Sequence, residues 1–160
     1  MSFQWPLALA LHQLGSLIWI GGMFFAHFAL RPAANAHLAP PERLPLMLAV
    51  FDRFFALVWV AIALLWGSGF WIFLGLHQGH AGWHVHAMMT LAAVMTLNFL
   101  FIWFRPYRGL AQAVASRDWT LAGVRQGLIR RLILVNLTLG LITALLGAAG
   151  PTLLAALGQG

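Results

Sequence analysis

Four apolar runs, each about twenty residues long, dominate this chain, and that is the length an α-helix needs to cross a bilayer. They lie at roughly 7–30, 54–76, 84–104 and 131–150. The first contains LHQLGSLIWIGGMFFAHFAL and meets no formal charge until Arg31. Composition agrees with this reading. The chain is 62% hydrophobic and 8% charged, against about 45–50% and about 25% for soluble domains. Such an apolar excess has no place on a water-exposed surface. The 160 residues are therefore expected to form one transmembrane domain, 1–160, of all-α class.

The charges define the ends of the runs. The first run follows Trp5-Pro6 and closes at Arg31-Pro32, the second follows Asp52-Arg53, the third closes at Arg105-Pro106, and the fourth follows Arg130-Arg131 and closes at Gly150-Pro151. Proline just past an end is a helix stop signal. All nine basic residues are Arg. Arg31, Arg43 and Arg53 fall between runs one and two; Arg105, Arg108, Arg117, Arg125, Arg130 and Arg131 fall between runs three and four. The turn at 74–83 and both termini carry none. The positive-inside rule makes the arginine side cytoplasmic, with both termini and the turn LHQGHAGWH outside. The net charge of +6 is thus assigned to topology and not to nucleic acid. The basic segment 105–131 contains GLAQAVASRDWTLAGVRQGL, which is amphipathic enough to lie in the interface or to extend the third helix. Short connections favour an up-down-up-down four-helix bundle, with helices one and three on one diagonal. Ala34-Asn35-Ala36 resembles a signal-peptide cleavage site, but no basic residue precedes the first run, so that run reads as a retained span.

Ionisable side chains inside a span are expensive and point to function. The chain has no Cys, which leaves His, Met or oxygen to hold any cofactor or metal. His12 lies about 8 Å in from the outer end of the first span, counted at ~1.5 Å per residue. His84 and His86 open the third span; His77 and His80 occupy the outer turn; His27 lies near the inner end of the first span, and His37 in the inner connection. Small residues sit at a matching depth: Gly67, Ser68 and Gly69 on the second span, and Asn136, Gly140, Thr143 and Gly147 on one face of the fourth. They serve either close helix packing or space for a planar group. On the second reading, haem b would sit between helices one and three with His12 and His86 as axial ligands, or His84 in place of His86, a bis-imidazole electron-transfer centre. A second haem near His27 has little support. Arg53 would then bind a haem propionate or a lipid phosphate, or act only as a topology charge. Copper is the competing occupant, because thioether and imidazole suit it. Its candidate ligands are His12, His84, His86, Met23 and Met89. Trp5, Trp83 and Trp103 near span ends match an aromatic belt.

Beyond these local readings, LHQLGSLIWIGGMFFAHFALRPAA, RFFALVW, WHVHAMM and IRRLILVNLTLG together resemble the small CopD-like membrane proteins of bacteria. That resemblance implies a copper-handling role in the inner membrane. A more distant likeness, a His followed seven residues later by Trp as in His12 and Trp19, is to the four-span HemJ-type protoporphyrinogen oxidases, which bind haem. Their third span carries a Lys near the position of His86, and this chain has no Lys. The difference speaks against porphyrin oxidation and leaves haem binding through His12, with His86 as a second imidazole. The expectation is a b-type haem electron-transfer protein, a membrane oxidoreductase in class, whose partners are the lipid bilayer, quinol or another membrane donor, and a further copy of the chain. Copper binding or transport is the alternative, and a cofactor-free partner subunit is the third reading.

Overall fold

Hydrocarbon offers no water to an unpaired amide, so each apolar run is driven to close its hydrogen bonds within itself as a helix. The computed structural model describes residues 4–76 and 78–157, the last seven as backbone; His77 lies outside the described residues. Four helical rods account for nearly all of them: α1 (Gln4–His37), α2 (Pro40–Leu76), α3 (Trp83–Ala115) and α4 (Trp119–Leu157). All four are long and apolar enough to cross a membrane. No strand occurs among the described residues.

The rods run past the stops expected from sequence. Pro32 does not end α1, because a wide π turn over Ala26–Leu30 precedes it and the helix resumes to His37. Pro106 lies inside a second such turn, Trp103–Tyr107, and α3 continues to Ala115. A π turn shifts the local hydrogen-bond register, so the missing proline N–H need not break the rod. The expected connection 31–53 shrinks to Leu38 and Ala39. Pro40 and Pro41 then occupy the first turn of α2, where an amide would be unpaired in any case. The amphipathic segment is shared between the tail of α3 and the head of α4. Between them Arg117 adopts φ 57°, Asp118 N–H donates to the Ala113 carbonyl at 2.9 Å and Arg117 N–H to Val114 at 3.1 Å. This is a Schellman closure with Arg in the place usually taken by Gly.

Neighbouring rods are antiparallel, and their contacts keep register along the length. On the α1–α2 seam, Trp5 meets Gly75, His12 meets Gly69, Gly15 meets Ala61 and Leu65, and Gly22 meets Phe54. On the α3–α4 seam, His84 meets Gly150, Met88 meets Gly147, Met95 meets Gly140 and Arg125 meets Gly109. Trp66 Nε1–H donates to Thr96 Oγ1 at 3.2 Å, and Tyr107 donates to Asp52; both bonds link α2 to α3. Ile20 of α1 reaches Gly140 of α4 and closes the ring. Small residues on each seam let the backbones approach, as membrane packing requires.

The core is aromatic and lies toward the arginine-bearing end. Phe55, 1% exposed, stacks on Phe51 at 5.3 Å and meets Phe99, Trp103 and Tyr107 edge-on at 5.2–6.2 Å. Trp19 reaches Phe99 across the diagonal at 6.3 Å. Trp103 therefore belongs to this interior stack and not to an interfacial belt, whereas Trp83 is exposed. Leu17, Leu97 and Leu145 project outward, each about two-thirds exposed. A water-soluble bundle would hide such residues, and a lipid-facing one displays them.

Candidate functional site

The end of the bundle away from the arginines holds His12, His80, His84 and His86, whereas His27 and His37 lie toward the arginines. His12 is partly buried on α1, and its ring lies over Gly69 of α2, where an added Cβ would come within 3.4 Å of the ring. Its Nδ1 lies 3.0 Å from Ser68 Oγ. The Ser68 hydroxyl proton is already committed to the Leu64 carbonyl one turn back, and a carbonyl can only accept. With that proton on Leu64, Ser68 Oγ is assigned as acceptor from His12, which puts the His12 proton on Nδ1. The remaining nitrogen, Nε2, then carries the lone pair. A hydrogen bond that fixes one ring nitrogen as donor so that the other can ligate is the usual outer support of a metal-bound imidazole. Sequence reading treats Ser68 only as a small packing residue. Its role as the partner of His12 depends on the α1–α2 register and has no signature of its own.

His86 and His84 are two residues apart, so α3 turns them about 200° away from each other. His86 is exposed and meets Phe73 of α2 edge-on at 5.8 Å. Phe73 is four residues beyond Gly69, about one turn. His12 and His86 thus rest against successive turns of the same helix. His84 faces the other way, onto Gly150 of α4. Its Nδ1 is buried without a hydrogen-bond partner. Met88, one turn along α3, packs on Gly147 of the same α4 face. His80 is an exposed turn residue whose Nδ1 donates to the Gln78 carbonyl at 3.0 Å.

The other candidates lie apart from this end. Met23, 1% exposed, sits in the apolar core beside Trp19. It is eleven residues along α1 from His12, about 16 Å by helical rise, and does not join the histidines. Met89 is partly buried, and Arg53 is exposed at the opposite end of α2 from Ser68. Among the described residues no three His, Cys, Asp or Glu side chains assemble as a metal-binding group.

These donors fit a haem iron in chemistry, since His12 offers an oriented lone pair and His86 a second imidazole from across the α2 edge. The space is less open than the run of small residues suggests. The notch at Gly140 is filled by Ile20 and Met95, the one at Gly147 by Met88, and the one at Gly69 by His12 itself; of these four glycines Gly67 alone faces open space. Thr143 Oγ1 is committed to its own helix, donating to Leu139 at 2.8 Å. Planar space between the helices would come from rotation of Met88 and Met95, whose thioether arms are the most adaptable of core side chains.

No family model, curated protein or solved structure matches the chain.

Proposed function

We propose that the chain is a multi-pass electron-transfer protein of a bacterial inner membrane in which His12 and His86 hold a b-type haem near the histidine end. On this reading the arginine end is cytoplasmic and the histidine end faces outward, where quinol or another membrane donor exchanges electrons with an outer acceptor. The observation that carries it is the His12–Ser68 hydrogen bond, which leaves Nε2 as a ligating nitrogen. The bound group would supply a one-electron couple. The chain's own part is to fix the ring of His12 and to hold His86 against Phe73, one turn along α2 from Gly69. The visible spectrum of the purified protein tests this. Sharp reduced-minus-oxidised bands that vanish in His12→Ala and in His86→Ala are the expected result. Unchanged absorbance in His12→Ala would remove His12 as a ligand and with it this reading.

One observation favours copper as a second reading. His84 Nδ1 is buried and unpartnered, and Met88 lies one turn away on the same seam. An imidazole and a thioether on one face suit Cu(I). A colourless preparation that retains copper in wild type and loses it in His84→Ala and Met88→Leu supports this assignment.

A further inference from the structure

The opposite end of the bundle holds a second built feature. A cavity of about 280 Å³ lies where the C-terminal part of α1 and the N-terminal parts of α2 and α4 meet. Arg31, Arg43 and Arg130, one from each helix, line it together with Asn35 and Gln126. No carboxylate lines it. Arg43 and Arg130 are the charges that act on Arg31, so the three cations face one another across the space. Among the described residues none of the three makes an ion pair or a side-chain hydrogen bond, and Arg43 Nε is buried without a partner. Two of the chain's three carboxylates are engaged elsewhere. Asp52 accepts from Tyr107, and Asp118 caps α4 through Leu121 N–H at 2.9 Å.

Topology alone accounts for arginines on this side, because any position beyond the spans would serve it. It does not account for three of them converging on one chamber with an unpaired buried nitrogen. Like charges held together this way repel until an anion enters. Guanidinium groups present fixed forks of donors that match phosphate oxygens. A narrower cleft shares Arg31, Gln126 and Arg130 with the chamber and continues along Ala26, His27, Met47, Phe51 and Ile133. The chamber thus joins a polar space to an apolar one at a membrane-facing end.

We propose that this chamber binds a phosphate-bearing anion, with Arg31, Arg43 and Arg130 as its ligands. An anionic phospholipid would present such a phosphate in its headgroup, and inorganic phosphate shares the same chemistry. Gly123 and Gly127 also line the chamber, and a Cβ at either position meets nothing within 4 Å. Gly127→Leu therefore puts a side chain at the chamber wall with no clash at its Cβ and no change of charge.

The full-length protein is placed in nanodiscs of phosphatidylcholine, with and without phosphatidylglycerol, and its thermal unfolding midpoint is measured. A parallel arm adds inorganic phosphate against chloride at matched ionic strength to the phosphatidylcholine discs. Phosphatidylglycerol is expected to raise the midpoint of wild type. Gly127→Leu should abolish that rise while unfolding in phosphatidylcholine no earlier than wild type. Arg43→Gln should weaken retention of phosphatidylglycerol in native mass spectrometry about tenfold, the effect of losing one charge-assisted bond. A rise with inorganic phosphate alone assigns the site to a free anion and keeps the chemistry. No rise with either anion overturns the proposal, and so does an undiminished rise in Gly127→Leu.

Discussion

At the residue scale, Ser68 decides what His12 can do. A serine in a helix commonly returns its hydroxyl proton to a carbonyl one turn back. Here that habit makes Oγ an acceptor and fixes the tautomer of the imidazole beside it. Removing the hydroxyl leaves Nδ1–H in a largely apolar seam with its main partner gone. On the proposed haem assignment, Ser68→Ala is expected to retain the spectrum but to weaken haem binding about 10–100-fold, the usual cost of losing an outer hydrogen bond to a ligand. Haem titration of the apoprotein measures it, and wild-type affinity would mean the hydroxyl does not position the ring. Gly15 shows the same seam from its packing side. A Cβ there would lie 3.0 Å from Leu65 Cγ and 3.1 Å from the Ala61 carbonyl. Gly15→Val should destabilise by about 1–3 kcal/mol through overpacking, read as a lower unfolding midpoint in detergent.

At the scale of elements, the α3–α4 seam is held by an amide pair. Asn98 Nδ2 donates to Asn136 Oδ1 at 2.8 Å and to the Leu132 carbonyl at 3.0 Å. Asn136, 1% exposed, returns a bond to the Met95 carbonyl at 3.0 Å. Interhelical hydrogen bonds in membranes are worth about 0.6 kcal/mol on average and up to ~2 kcal/mol. Asn136→Leu should therefore cost about 1–2 kcal/mol, and a double-mutant cycle with Asn98→Leu should show coupling between the two. The α3–α4 turn offers a test of opposite sign. Arg117 is a non-glycine residue at φ 57°, a conformation that costs an L-residue roughly 1–2 kcal/mol. Arg117→Gly should raise stability by about 1 kcal/mol in the same assay.

At the scale of the whole molecule, the two ends have opposite character. One carries His12, His80, His84 and His86 with Trp5 and Trp83; the other carries all nine arginines together with His27 and His37. This asymmetry is what the proposed orientation rests on, and the absence of Cys makes it simple to test. A single Cys at Gly79 should react with an impermeant maleimide in intact cells, and one at Ala36 only after the membrane is opened. The reverse pattern would invert the bundle and place His12, His84 and His86 on the cytoplasmic side.

Much of this architecture is legible without coordinates, because the bilayer imposes it. An uncharged run such as 54–76 has one way to satisfy its amides in lipid, so helix number and rough position follow from composition along the chain. The shared face of Asn136, Gly140 and Gly147 also follows from helical periodicity alone, and all three pack on α3. What periodicity cannot supply is register between helices, and the candidate site depends on register. Sequence marks His12 as costly, yet only the antiparallel fit of α1 on α2 brings Ser68 under its ring. It prefers His86 without excluding His84, and α3 turns His84 toward α4 and His86 toward α2. Proline stops at 32 and 106 are misread for a related reason: local stiffness is absorbed by π turns in rods held straight by their neighbours. The arginine chamber is the furthest from sequence, since Arg31, Arg43 and Arg130 are distant in the chain and meet only where three helix ends converge. Hydrophobic burial acts on every residue independently and can be read one position at a time, whereas hydrogen bonds and charge clusters need two partners at a set distance, and tertiary packing sets that distance.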